Sequence, residues 1–105
     1  MADTINAGKT LRDLNDLYNN LPADNRKEAI FQQIQDLTKQ VEALRNNNIN
    51  DTLDQYVSAT KAMDDANNAI SEAKKDIGKV ADTVNVIAKA ITDVGKLLKV
   101  LGLGA

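Results

Sequence analysis

The sequence predicts an all-α protein: an antiparallel helical bundle with a coiled-coil-like apolar stripe. Three observations carry this expectation. Apolar residues return at spacings of three and four along nearly the whole chain, the period of one helix face. Pro, which breaks helices, occurs once in 105 residues. Aromatic residues make up only 3% of the chain against 43% hydrophobic residues, so the interior has to be built from Leu, Ile, Val and Ala. The alanines among them suit close helix packing. A chain of this length reads as a single domain, 1–105, with enough mass to enclose a core.

The first helix is expected over about 4–20, with Ala7, Leu11, Leu14, Tyr18 and Leu21 on one face. Asp3 or Thr4 would cap it, and Thr10 followed by Asp13 offers a second start. Pro22 closes it, because the residue before a proline is driven out of the helical conformation. The second helix, about 25–46, opens on Asn25 and Glu28 as a capping box, with Asp24 competing for the cap. Ile30, Ile34, Leu37, Val41 and Leu44 form its core face, and Gln33 falls off that face with the charged residues. The Asn-rich run 46–51 is a turn.

From Tyr56 the spacing continues through Ala59, Met63, Ala66, Ile70, Ala73, Ile77, Val80, Val84, Ile87, Ile91, Val94, Leu98 and Leu101 without a slip. Two forms satisfy it. In one, a single helix of about 50 residues, roughly 75 Å long, leaves its C-terminal half in need of partner chains. In the other, the chain turns near Asp76-Ile77-Gly78-Lys79 into helices of about 50–77 and 78–101, and four helices close on themselves. The unbroken register favours continuity, since Gly78 alone costs a helix only about 1 kcal/mol. Ala59, Ala66 and Ala73, flanked by Ala62 and Ala69, mark a strip where a neighbour can approach closely.

Absences bound the chemistry. With neither His nor Cys, the chain lacks the usual ligands for zinc and haem, the base of a Ser-His-Asp set and any thiol nucleophile, and it has no Gly-rich phosphate loop. No enzyme activity, cofactor, metal or small-molecule substrate is expected. Asp13 with Asp16 and Asp64 with Asp65 could offer oxygens to a hard cation, but without the spacing of a calcium loop they read as solvated faces. Asn50-Asp51-Thr52 matches a glycosylation sequon and is read as accidental. A net charge of −2 argues against nucleic acid as a partner. The polar start, Met1–Thr10, has no secretory pattern, which suggests a cytoplasmic protein or export without a cleavable signal peptide.

The charge changes sign near Gly78. Before it Asp51, Asp54, Asp64, Asp65, Glu72 and Asp76 outnumber Lys61, Lys74 and Lys75, and after it Lys79, Lys89, Lys96 and Lys99 outnumber Asp82 and Asp93. The expected function is therefore that of a non-enzymatic helical interaction or assembly protein. Its C-terminal stripe of Val84, Ile87, Ile91, Val94, Leu98 and Leu101 would pack on a copy of itself or on another helical protein. The alternative is a membrane-surface or pore-forming protein, with Lys89, Lys96 and Lys99 meeting anionic headgroups.

Overall fold

A computed structural model describes residues 7–45 and 53–102. They form four helices: α1 (Ala7–Asn19), α2 (Asn25–Arg45), α3 (Asp54–Lys75) and α4 (Val80–Val100). One turn of 3-10 helix, Ile77–Lys79, separates the last two. The class is all-α, and the chain takes the form that closes on itself. Its extents of 39 × 22 × 17 Å leave no room for the long helix that the unbroken register favoured. The residues proposed to cap α1, Asp3 and Thr4, and the Asn-rich run with its sequon lie outside the described residues.

Asp76 is what ends α3. Its backbone is extended, φ −142° and ψ 102°, and its amide makes the last α3 bond to the carbonyl of Glu72. Its carboxylate then folds forward to accept the Gly78 amide at 3.0 Å. This is the local bond by which Asp competes with a helix ladder. The glycine serves the same turn: a Cβ at Gly78 would stand 3.2 Å from that carboxylate oxygen, closer than side chains ordinarily pack. α4 ends at Gly102, whose φ of 74° is the left-handed conformation that glycine adopts without penalty.

The helices pack as two hairpins laid side by side. α1 lies against α2 and α3, and α4 lies against α3 and α2; α1 and α4, like α2 and α3, are diagonal. The neighbours α2 and α4 are parallel, since Gln33 bonds to Val84 and Gln40 to Ile91, both advancing together. α1 and α3 finish at the same end, where Lys74 reaches Asp13 at 3.8 Å and Asp16 at 3.5 Å. The two carboxylates read as a possible cation pair thus share a lysine. The Lys9 ammonium, bonded to Asp13 at 2.8 Å, holds that carboxyl below its usual value.

The most extensive contact is between α3 and α4, and the alanine strip explains it. Ala59, Ala62, Ala66 and Ala73 are buried, so the α4 residues Val80, Ile87, Ala90, Val94 and Leu97 come down close to the α3 backbone. The buried Thr83 hydroxyl sits 2.9 Å from the Lys79 carbonyl and 3.1 Å from the Ala69 carbonyl across the interface. Leu14, Ile30, Leu37, Met63 and Ile70 complete the core.

Two sequence expectations change here. On α1 the inward face is Ala7, Thr10, Leu14 and Leu17, with Leu11 and Tyr18 half-buried, because α1 packs against both α2 and α3 and buries more than a single heptad row. At the start of α2, Asp24 takes the cap, accepting the Arg26 amide at 2.9 Å and pairing with the Arg26 guanidinium at 2.7 Å. That guanidinium holds the Asp24 carboxyl below its usual value.

Gly95 lies inside α4 with room for a methyl group, as a Cβ there would meet the Gln40 amide nitrogen at an ordinary 3.8 Å. Gly95→Ala is expected to raise stability by about 0.5 to 1 kcal/mol through helix propensity alone. An upward shift of the urea midpoint at unchanged slope is the signature to be measured.

Candidate interaction surface

The stripe expected to meet a partner divides in two. Ile87 and Val94 are fully buried and Leu98 nearly so, all within the chain's own bundle. Val84 and Ile91 are half-buried and form one rim of α4, and Leu101, half-buried, caps its C-terminal end. Helices of the same chain therefore cover much of a face that the sequence alone leaves open. Val86 is half-buried on α4 and Val100 is exposed.

Sequence reasoning missed the residues that hold this rim in place. Gln33 is buried, where the helical wheel puts it with the solvated residues, and its amide nitrogen donates to the Val84 carbonyl at 2.8 Å. Gln40, one heptad later, donates to the Ile91 carbonyl at 2.8 Å. Both carbonyls already serve the α4 ladder, so each accepts a second bond through its other lone pair. The seven-residue repeat of glutamine on α2 was the available signal. It is legible only when α4 is known to be the neighbour. The amide oxygens of Gln33 and Gln40 are buried without a protein partner, so the contact is costly if misaligned and specifies the match of α2 to α4.

The three lysines all point outward. Lys89 bonds to Asp93 at 2.8 Å, which raises its pKa, with Asp65 across the groove adding to the effect. Lys96 and Lys99 form no ion pair with a described residue. Between α3 and α4 a shallow groove of about 340 Å³ is lined by Ala62, Asp65, Asn68, Asn85, Val86 and Lys89. A second groove, of about 580 Å³, lies where α1 and α3 end, between Asp16, Leu21, Lys74 and Ile77. Among the described residues no three acidic side chains converge as a metal site would require. No described helix is long and apolar enough to cross a membrane.

No protein-family model, curated protein or solved structure matches this chain.

Gln33→Glu tests the role of the amide. At neutral pH the substitution turns a carboxylate toward the Val84 carbonyl and is expected to cost about 2 to 3 kcal/mol. Burial raises the carboxyl's pKa in the folded state above about 4.3, its value in an unfolded chain. The protonated form again donates to the carbonyl, so the lost stability returns below that pH and disappears as pH rises through the folded-state value. Thermal melts of both proteins from pH 3 to 7 would measure this, and parallel curves would remove the amide from the account.

Proposed function

We propose that this chain is a non-enzymatic helical interaction or assembly protein that acts through α4, pairing in a coiled-coil-like manner with a second copy or with another helical protein. The observation that supports this most directly is the half-open rim: Val84 and Ile91 lie one heptad apart along one edge of α4, each aligned by a glutamine of α2, with the half-buried Leu101 capping the end of the helix. Covering this rim removes apolar area from water at about 25 cal/mol per Å². The core half of the stripe, Ile87, Val94 and Leu98, has a different task, which is to keep α4 seated so that the rim is presented on a rigid support.

That division decides which variant is informative. A charge at Ile87 would enter the core and unfold the bundle, whereas the half-exposed Ile91 can be changed with the fold retained. Ile91→Lys is expected to keep the far-ultraviolet circular dichroism of the parent while reducing the molar mass seen by light scattering at high concentration to that of one chain. An unchanged mass series in the variant would take Ile91 out of the contact.

A second reading rests on Lys89, Lys96 and Lys99, which present positive charge along the outside of α4. The apolar face beneath them is turned into the bundle, so contact with an anionic membrane would be electrostatic for as long as the bundle stays closed. On this reading, co-sedimentation with anionic vesicles is lost on raising the salt and on Lys96→Glu/Lys99→Glu substitution. Binding that ignores both changes would dismiss the electrostatic contact.

A further inference from the structure

The turn between α3 and α4 interrupts the backbone but not the heptad pattern. Two rows of apolar residues run through it: Tyr56, Met63, Ile70, Ile77, Val84, Ile91 and Leu98, and Ala59, Ala66, Ala73, Val80, Ile87, Val94 and Leu101. Every member is buried or half-buried except Ile77, which stands 45% exposed at the bend. A loop between antiparallel helices needs no phase relation across it. Here the phase is kept, and the one residue that the hairpin leaves in water is the one a continuous helix would bring into the seam.

We infer that the α3–α4 hairpin can open into a single helix and exchange α4 with a second copy of this chain. This rests on the assembly reading and names the partner and the mode. In the exchanged dimer two long helices run antiparallel, and α3 of each chain packs on α4 of the other through the contacts the hairpin already makes. Because the two helices of the hairpin pair symmetrically about residues 76–79, Ile77 falls beside the dimer axis, next to its copy. What holds the bend closed is confined to the turn: the Asp76 carboxylate on the Gly78 amide at 3.0 Å, the Lys79 amide on the Asp76 carbonyl at 3.0 Å, and a glycine without the Cβ that would crowd the carboxylate at 3.2 Å. A continuous helix would exchange these local bonds for its own ladder. The dimer is favoured by mass action as concentration rises.

The test reads an intrachain distance. The chain has no cysteine, so Ser58→Cys/Lys96→Cys accepts two spin labels at exposed sites nearly equidistant from the turn. In the hairpin these positions lie at about the same level on adjacent helices, whereas along one helix they are about 57 Å apart. Labelled chains are diluted into an excess of unlabelled chain, unfolded, and refolded together at high concentration. The dimer fraction is expected to show the long distance. Asp76→Ala/Gly78→Ala should tighten the dimer roughly 30-fold, since an interior helix glycine is replaced in each of two chains. Ile77→Asp added to that background should return it to monomer by opposing two carboxylates at the axis. A dimer that keeps the short distance is surface association, which leaves the rim of α4 as the contact and overturns the exchange. Monomer alone, from both the parent and the doubly substituted chain, overturns it as well.

Discussion

The rest of this structure depends on a stripe of apolar side chains too long for one straight helix to bury by itself. From Tyr56 to Leu101 the stripe has to be shielded from water, and the chain does so by folding it in half at Asp76 and pressing the halves together. Alanines on α3 and branched residues on α4 make this possible, since small residues on one side admit larger ones from the other. The α3–α4 contact is the most extensive in the molecule, and the α1–α2 hairpin lies along its open side. An Asp carboxylate and a missing methyl group thus decide between two shapes that the hydrophobic pattern accommodates equally well.

The alignment of the two hairpins is a polar matter. Apolar contacts tolerate sliding, because a helix surface repeats every heptad and one leucine resembles the next. The amides of Gln33 and Gln40 reach particular carbonyls, and their own oxygens have no protein partner, so displacement would gain nothing and forfeit two bonds. Lys74, shared by Asp13 and Asp16, marks the corresponding alignment of α1 with α3 at the surface, where solvent weakens such pairs. Burial thus gives the bundle its cohesion, and a few polar groups give it its register.

Much of this was legible in the residues themselves. The all-helical class, the first two helices, Pro22 as a stop and the neighbourhood of Asp76 to Lys79 as the candidate bend in the long stripe follow from spacing and turn chemistry, whereas the choice between that bend and one continuous helix does not. What spacing cannot convey is the identity of the neighbour. Periodicity says that Leu14 and Ile87 face inward, but it is silent on whether the covering side chains come from the same chain or another. The long-helix reading was credible for that reason. The same gap hid Gln33, whose burial makes sense only opposite the Val84 carbonyl, and shifted the inward face of α1 from Leu11 and Tyr18 toward Thr10 and Leu17. Of the proposed contact residues, the stripe was visible and its division into core and rim was not.

The scarcity of rings leaves the molecule with two natural optical reporters at opposite ends. Tyr18, half-exposed in the last turn of α1 with the Lys27 ammonium 4.7 Å above its ring and Phe31 at 5.9 Å, stands near the bend. Tyr56, buried in the first turn of α3, stands at the far end. With no tryptophan to mask them, either one left alone by a Tyr→Phe change at the other reports on its own end, which separates unzipping that begins at the bend from fraying that begins at the opposite pole.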